Sequence, residues 1–397
     1  MLSHCRLAFV AAAVASSSAF AQGDARTVEV DCAAGDSISR ALSSGNQTKQ
    51  LVIVVRGICT ESVSVERDDV SIRGHATLGG TILGPDPAVD AVTVTGRDVT
   101  LESLTVSGGR NGITAVGAAR LTVRGAIVES TGRNGITYAN GSSGTIDAST
   151  VRSNARDGVG LDASSATVIN STISQNARLG VLVAVNGAAR IGVDNRNGPA
   201  GNTISQNGQS GVVISSGGYA LMGMNQITGH AVQGISVTEA RVDLAGGNTI
   251  SGSSAQGLFA RGSAVQIGGP ALGFSTVNTF TGNGGPGSQG GIFAFLGSSI
   301  VVRDAVITNN LGPGLGLSLR SQGQTFNSTI QNNSADGIRL LLGSALLPST
   351  PVTTVSGNAG FGLQCFDPES SVVNTFPPFL SLSGNGAGDM SPGCTGF

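Results

Sequence analysis

The sequence has 397 residues, of which 61 are glycine, 12% are charged and 4% are aromatic, and its formal net charge is −2. Ordinary domains carry about 25% charged residues and about 7% glycine. This composition argues against a nucleic-acid-binding protein, which needs a basic face and usually stacking aromatic rings. It also argues against disorder, because 40% hydrophobic residues can bury a core.

Residues 1–21 have the features of a secretory signal peptide. Arg6 supplies the positive charge, Leu7–Ala15 the apolar stretch, and Ala19-Phe20-Ala21 an A-x-A cleavage site. A buried amino-terminal helix is the alternative, and the apolar stretch is too short to span a bilayer. We therefore expect a periplasmic or extracellular protein without a transmembrane span.

Four cysteines remain after cleavage at this site: Cys32, Cys59, Cys365 and Cys394. An even number in an oxidising compartment favours disulfides, with three possible pairings. We expect sequence neighbours to pair, Cys32 with Cys59 and Cys365 with Cys394. A metal site is the alternative, but no pair has C-x-x-C spacing and the mature chain has only His75 and His230. No metal and no cofactor are predicted.

The first elements of the mature chain resemble a cap. Residues 36–42 have the pattern of a short helix, with Asp36 or Ser37 as N-cap and Ile38, Ala41 and Leu42 on one face. Residues 50–57, QLVIVVRG, then read as a buried strand. The helix is placed to cover the open end of whatever sheet this strand begins.

A repeat follows, marked by a glycine and an aliphatic residue every 22 to 25 residues, with two longer intervals. The marker glycines are Gly112, Gly135, Gly158, Gly180, Gly211, Gly234, Gly257, Gly291, Gly314, Gly337 and Gly362. Seven positions before the marker the residue is apolar in nine of the eleven units. Four positions before it the residue is asparagine at 154, 176, 207, 310, 333 and 358, with His230 and Ser253 as exceptions. Such a register over eleven units indicates a repeat architecture.

Each unit contains short alternating runs rich in β-branched residues and broken by Gly, Asn and Ser. About 23 residues suffice for three strands and three turns, one coil of a parallel β-solenoid. We predict an all-β fold of about 11–13 coils, in which each asparagine binds its equivalent in the next coil. We also expect the marker glycines to take positive φ, and the asparagines to tolerate it.

These residues resemble the right-handed parallel β-helix repeat family, the pectate-lyase-like superfamily. The asparagine column and the unit N-T-I-S-Q-N-x-x-S-G-V at 202–212 carry the resemblance, which spans roughly residues 90 to 365. It implies a right-handed helix with capped ends. The expected organisation is a signal peptide at 1–21, a cap and first coils at 22–90, repeats at 91–365 and a capping loop at 366–397.

Charged residues also form columns. Two positions before the marker stand Arg110, Arg133, Arg156 and Arg178, and the next column holds Asn111, Asn134 and Asp157. Four stacked guanidinium groups repel one another unless a ligand offsets their charge, and arginine binds carboxylates bidentately. The sequence thus offers a binding track for an acidic polysaccharide. Solvent-exposed turn positions that tolerate arginine are the alternative.

A neighbouring column provides a contrast. Glu102, Arg124 and Asp147 share a register if one residue is deleted in the first of these coils. Their alternating signs predict ordinary pairing between adjacent strands, so a charged column can also be purely structural.

Two insertions, at 191–202 and 267–278, are expected to leave the same edge of the solenoid, three coils apart. A cleft between them is a second candidate site, with five residues as its lining: His230, Glu239, Arg241, Asp243 and Arg261. Solenoids accept insertions at turns, however, and His230 is most simply a substitute in the asparagine column.

The residues that lyases and glycosidases of this architecture need are not recognisable. The only lysine, Lys49, lies outside the repeats, no acidic cluster suited to Ca²⁺ stands out, and most phenylalanines have core or cap spacing. Two hypotheses remain. The first is a non-catalytic secreted β-helix that binds polysaccharide or serves in envelope structure or adhesion. The second is a divergent lyase or epimerase acting on an acidic glycan.

Overall fold

The computed structural model describes residues 25–44, 50–269, 277–285, 287–373 and 379–394. The predicted signal peptide and the greater part of the second insertion lie outside these ranges. The described residues form a parallel β-solenoid whose coils each contribute one strand to three sheets, named A, B and C in the order in which a coil visits them.

Every strand pairs in parallel with the equivalent strand of the neighbouring coils. The strands of sheet A are Arg26–Asp31, Leu51–Thr60, Val70–Gly74, Val99–Glu102, Arg120–Arg124, Ser143–Asp147, Ser165–Ile169, Ala188–Ile191, Tyr219–Gly223, Arg241–Gly246, Ala264–Ile267, Ser299–Arg303, Gln322–Phe326, Ala345–Pro348 and Ser371–Val372.

The strand Leu51–Thr60 belongs to two sheets, because Leu51–Val55 pairs in sheet A and Gly57–Thr60 pairs in sheet B. Sheet B continues with Gly80–Gly84, Thr105–Gly108, Ile127–Glu129, Thr150–Arg152, Thr172–Ser174, Thr203–Ser205, Gln226–Thr228, Thr249–Ser251, Asn278–Thr281, Ala305–Thr308, Thr329–Gln331, Thr353–Ser356 and Leu380–Ser383.

In the described part of the chain sheet C has fourteen strands, so the repeat extends beyond the eleven glycine markers at both ends. They are Val63–Val65, Val92–Val94, Ile113–Ala115, Ile136–Ala139, Val159–Asp162, Val181–Ala184, Val212–Ser215, Ile235–Thr238, Leu258–Arg261, Ile292–Phe295, Leu315–Leu317, Ile338–Leu340, Phe361–Cys365 and Gly388–Met390.

The core is a stack of Val, Ile and Leu columns, one from the inner face of each sheet. The apolar column predicted seven positions before the marker is buried at every predicted position: Val128, Val151, Ile173, Ile204, Ile227, Ile250, Ile307, Ile330 and Val355. Burial of each branched side chain contributes about 1.5–3 kcal/mol to the stability of the fold. In a repeat protein these contributions add up approximately from coil to coil.

The marker glycines stack one strand spacing apart, as predicted: the amide of Ile136 donates to the carbonyl of Gly158 at 2.9 Å. The reason predicted for glycine is wrong, because no marker glycine has positive φ. A Cβ on Gly158 would instead lie 2.7 Å from the carbonyl oxygen of Gly180 and 2.6 Å from Cγ2 of Ile173. Glycine is needed because neighbouring coils approach too closely for any side chain.

The asparagine column forms a buried ladder at the corner between sheets B and C. Asn154 Nδ2 donates to Asn176 Oδ1 at 2.9 Å, and Asn176 Nδ2 donates to Asn207 Oδ1 at 3.0 Å. These asparagines do not have positive φ. The residue just before each of them does, for example Ser153 and Gln175, so the corner turns one position earlier than predicted.

The other two corners carry ladders that the sequence analysis missed. At the corner between sheets A and B, Asn202, Asn225, Asn248 and Asn278 are linked by amide-to-amide hydrogen bonds of 2.9–3.0 Å. At the corner between sheets C and A, serine hydroxyls accept the amides of the preceding coil, as Ser298 does from Ser263 at 3.2 Å. Each corner thus satisfies its buried backbone groups with short polar side chains.

The predicted amino-terminal helix and both predicted disulfides are present. A helix at Ile38–Ser43 begins at the N-cap Ser37 and buries Ile38, Ala41 and Leu42. Both expected disulfides form, Cys32–Cys59 with Cα atoms 5.1 Å apart and Cys365–Cys394 with Cα atoms 5.0 Å apart. Such bonds are typical of proteins that fold in an oxidising compartment.

The carboxyl-terminal segment differs from a simple capping loop. Three short strands within 371–390 extend all three sheets, and Asn385 continues the ladder by accepting from Asn358 Nδ2 at 2.9 Å. The sequence hides this last coil because it lacks the glycine marker. Among the described residues, no helix is long and apolar enough to cross a membrane.

Candidate functional site

The four arginines of the predicted track lie at the corner between sheets B and C, in successive coils. The amide of Arg156 donates to the carbonyl of Arg133 at 2.9 Å, and the amide of Arg178 to that of Arg156 at 2.8 Å. Parallel strands are about 4.8 Å apart, so the guanidinium groups emerge in one row along the axis.

Two of the four guanidinium groups are paired with carboxylates, so the column is not uniformly free to bind a ligand. Arg110 Nε donates to Asp90 Oδ1 at 2.9 Å, and Arg178 Nε donates to Asp157 Oδ1 at 2.7 Å. Both carboxylates are buried, with 5% and 1% of the side chain exposed. Each arginine reaches back to the coil before its own, so these two pairs are structural.

The buried carboxylates also accept hydrogen bonds from backbone amides of the next coil. Asp90 Oδ1 accepts from the amide of Asn111 at 3.2 Å, and Asp157 Oδ1 accepts from that of Leu179 at 3.2 Å. Burial opposes ionisation of Asp90, but hydrogen bonds from Arg110, Thr114 and Asn111 outweigh it and hold its pKa below the ordinary value.

The two middle arginines are different. Among the described residues, neither Arg133 nor Arg156 has a carboxylate within ion-pair distance, and Arg133 is exposed to solvent while Arg156 is half-buried. They stand in adjacent coils, between the two paired arginines. The structure therefore concentrates the unneutralised positive charge of the column in its two central members.

The polar column beside the arginines continues through the same coils. Asn111 Oδ1 accepts from the amide of Asn134 at 3.1 Å, and Asn134 Oδ1 accepts from that of Asp157 at 3.3 Å. Asn134 Nδ2 donates to the hydroxyl of Thr137 on the outer face of sheet C at 3.3 Å. These side chains position the backbone that carries the arginines.

The column of Glu102, Arg124 and Asp147 has the register that the sequence predicted. Arg124 lies opposite Glu102 on one side and Asp147 on the other, and its Nε is 3.6 Å from Asp147 Oδ2. This column lies on sheet A and provides a charge-matched control for the corner arginines.

Of the second candidate site, the structure describes His230 and the first insertion, whereas most of the second insertion lies outside the described residues. This histidine is buried at the corner between sheets B and C, whereas the insertion at 192–201 leaves the corner between sheets A and B. Glu239, Arg241 and Asp243 do lie together, at the start of one sheet A strand, with Arg241 Nη2 3.0 Å from Asp243 Oδ2. Arg261 ends the sheet C strand of the same coil.

The family profile described as "Right handed beta helix region" matches residues 81–220 and 225–376, most of the chain. The chain belongs to this family. The match confirms the predicted resemblance and covers the corner that carries Arg133 and Arg156. No curated protein matches the chain in sequence.

Solved structures with a similar right-handed β-helix have low sequence identity to this chain. The A-module of the mannuronan C-5 epimerase AlgE6 from Azotobacter vinelandii has a TM-score of 0.47 and 14% identity, covering 89% of this chain and 92% of that one. A double mutant of the periplasmic alginate epimerase AlgG has a TM-score of 0.48 and 10% identity, with coverages of 92% and 85%. The Dettilon tailspike protein has a TM-score of 0.45 and 14% identity, with coverages of 92% and 68%.

Several aromatic rings of this β-helix lie on the surface, contrary to the expectation that most occupy the core or a cap. Phe259 and Phe293 are neighbours on the outer face of sheet C, with ring centroids 6.2 Å apart, and Phe295 lies 6.0 Å from Phe293. The alternation of each strand could have revealed this, because the inward positions hold Leu258 and Ile292.

His230 replaces asparagine in the ladder, as the sequence predicted. Its Nδ1 accepts from the amide of Asn207 at 3.3 Å, and its Nε2 donates to the carbonyl of Ile204 at 3.2 Å. Burial outweighs these hydrogen bonds and lowers the pKa of His230 from 6.5 to about 4.

We predict that His230→Asn becomes more stable relative to the parent as the pH falls from 7 to 4. In that window the unfolded parent takes up a proton that the folded parent excludes, so parental stability drops by up to about 3 kcal/mol. The variant keeps the ladder and has no such group. Thermal melts at several pH values measure the difference, and parallel curves for the two proteins would contradict the assignment.

We also predict that Arg110→Gln lowers stability by about 1–2 kcal/mol at pH 7, because Asp90 stays buried without its cation. The low pKa of Asp90 stabilises the fold above its ordinary value of 3.8, and this contribution disappears as the pH falls below it. Loss of Arg110 raises the pKa of Asp90, so acid unfolding should begin at a higher pH. Arg133→Gln, at an unpaired position, serves as the control and should melt like the parent.

Proposed function

We propose that this protein is an exported, non-catalytic β-helix that binds an acidic polysaccharide through Arg133 and Arg156. The observation that carries the proposal is that these two arginines lack a carboxylate partner among the described residues, while their neighbours Arg110 and Arg178 are neutralised by buried aspartates. A protein gains no stability from adjacent unpaired cations, whereas a polyanion would gain two contacts from them.

The chemistry favours a carboxylated glycan. A guanidinium group presents a planar fork of donors that fits a carboxylate with two parallel hydrogen bonds. Arg133 and Arg156 repeat this fork one strand spacing apart, about 4.8 Å along the axis. A uronic-acid polymer that lies along the corner would bring successive carboxylates past the pair.

The surrounding residues would support the arginines without neutralising them. Asn111, Asn134 and Asp157 hold the backbone of three successive coils in register through amide hydrogen bonds. Thr137 exposes its hydroxyl on the adjacent face of sheet C, where sugar hydroxyls could bind. In this proposal Arg110 and Arg178 frame the site and keep its two ends fixed.

Export is part of the proposal. The amino-terminal sequence has the form of a signal peptide, and two disulfides fit an oxidising compartment such as the periplasm or the cell exterior. Acidic polysaccharides of cell walls, capsules and biofilms are found in these places, so an exported protein would share a compartment with its proposed ligand.

Affinity electrophoresis of the mature protein on polygalacturonate, alginate and dextran tests the proposal. We expect retardation on at least one polyuronate, none on dextran through this site, and a loss of retardation at high salt, since exposed charges are screened over about 8–10 Å. No retardation on any polyuronate would refute it. The same mixtures should be followed for unsaturated uronate absorbance and for epimerised residues, because either product would replace binding by the lyase or epimerase alternative.

A further inference from the structure

A groove runs along the outer face of sheet A, away from the corner that carries the arginines. Its cavity measures about 430 Å³, and its floor comes from three coils whose outward side chains are short. These residues are Ser143, Thr145, Ser165, Thr167 and Ala188. Four of these five side chains carry a hydroxyl group.

The first insertion forms one wall of this groove. Its turn is closed by a bridge between Val193 and Pro199, and Asn195 Oδ1 accepts a 2.9 Å hydrogen bond from the hydroxyl of Thr167. Arg190 donates from Nε and Nη2 to the carbonyl of Asp194, at 3.1 and 2.7 Å. The loop is thus fastened down on the sheet, which explains why an insertion at this coil has a defined shape.

Tyr219 closes one end of the groove. Its hydroxyl donates to Asp243 Oδ2 at 2.9 Å, and the guanidinium carbon of Arg241, in the next coil, lies 5.8 Å from the ring centroid. In the coil before it, the residue in register with Tyr219 is Ala188. Because alanine is short, the ring face on that side is open to the groove.

The arginines that line the groove, and Arg241 beside Tyr219, already have partners. Arg120, at the far end, lies 3.0 Å from Asp98, and Arg241 pairs with Asp243. The guanidinium group of Arg190 is occupied by the loop that it fastens. The described lining residues thus combine hydroxyls, one amide and an aromatic ring, and the two arginines among them, Arg120 and Arg190, are already engaged.

We infer that this groove is a second carbohydrate site, specific for a neutral glycan. A sugar ring can pack its apolar C–H face on the open side of Tyr219, as amphipathic ligands do on aromatic side chains. Its hydroxyls can exchange hydrogen bonds with Thr145, Ser165 and Asn195. This site is independent of Arg133 and Arg156, so the protein would hold a neutral and an acidic glycan on two faces of one solenoid.

The chain allows a direct optical test, because it has no tryptophan and only two tyrosines. Tyr138 is fully buried, so Tyr138→Phe leaves Tyr219 as the sole tyrosine emitter. Cello-, xylo- and manno-oligosaccharides are titrated into this variant at low and high salt, with oligogalacturonate for comparison. We expect a saturable change in emission with at least one neutral series, equal at both salt concentrations. No change with any of them, or a change abolished by salt, would overturn the inference.

Two substitutions then locate the ligand on affinity gels containing the matching neutral polymer. Tyr219→Ala should weaken retardation about tenfold, whereas Tyr219→Phe, which keeps the ring, should stay within about threefold of the parent. Ala188→Leu should fill the groove against the ring and also abolish binding, while thermal melting checks that it folds. Arg133→Ala/Arg156→Ala should bind the neutral polymer like the parent. Parental affinity in both Tyr219→Ala and Ala188→Leu would place the neutral glycan elsewhere.

Discussion

Replacing Asn176 by alanine is expected to cost about 3–5 kcal/mol of stability. The side chain accepts from the amide and the Nδ2 of Asn154, and it donates to Asn207 Oδ1 and to the carbonyl of Val151. All these groups are buried in the corner, where each unsatisfied polar group costs about 1–3 kcal/mol. Thermal and urea unfolding of the purified variant measure the loss.

Two further variants make this result specific to the ladder. Asn176→Ser should be milder, since Ser253 occupies the same column in the native chain. Gln209→Ala, at an exposed position of the same corner, should leave the melting temperature within the range of surface substitutions, about 0.5 kcal/mol. Equal stability of Asn176→Ala and Gln209→Ala would contradict the role given to the ladder.

Replacing both Arg133 and Arg156 by alanine is expected to reduce affinity for a polyuronate about a hundredfold. Each removes one charge-assisted contact worth about 1.5 kcal/mol, and the two sites lie in adjacent coils of one track. The fold should be unaffected or slightly stabilised, because the substitution removes like charges that have no partner among the described residues. Binding isotherms at two salt concentrations, with thermal melts, measure both effects.

Arg124→Ala is the matched control for this double variant. It removes one arginine from sheet A, where Glu102 and Asp147 lie opposite it. Its affinity for the polyuronate should equal that of the parent, with a small loss of stability of about 0.2–1 kcal/mol. If Arg124→Ala weakened binding as much as the double variant, general charge and not the corner would explain the affinity.

The periodic part of the fold could be predicted from the sequence, because every coil of a solenoid needs the same residue types at the same positions. The regular spacing of Gly135 and Gly158 predicted that they stack in adjacent coils, and the asparagine column predicted one hydrogen-bonded ladder. The physical role of the glycines could not be predicted, because turn conformation and close approach both exclude a Cβ. Only coordinates show that the carbonyl of Gly180 occupies the space beside Gly158.

The candidate site was less predictable, since pairing depends on the side chains of adjacent coils. The column of Asp157 was recognised, yet its contact with Arg178 requires the arginine to reach backwards by one coil. Asp90 lies in a coil without the glycine marker, so its place below Arg110 could not be read from the repeat. The position of Tyr219 at a groove could not be predicted. The groove wall is an insertion that packs on sheet A through contacts outside the repeat pattern.

The central claim is that Arg133 and Arg156 touch the acidic glycan while their neighbours serve the fold. Arginine-selective modification with phenylglyoxal, mapped by mass spectrometry with and without polygalacturonate, tests it most directly. We predict that Arg133 and Arg156 react in the free protein and are protected by the polymer, while Arg124 reacts equally in both samples. Unchanged reactivity of Arg133 and Arg156 under conditions where the polymer is bound would contradict the claim.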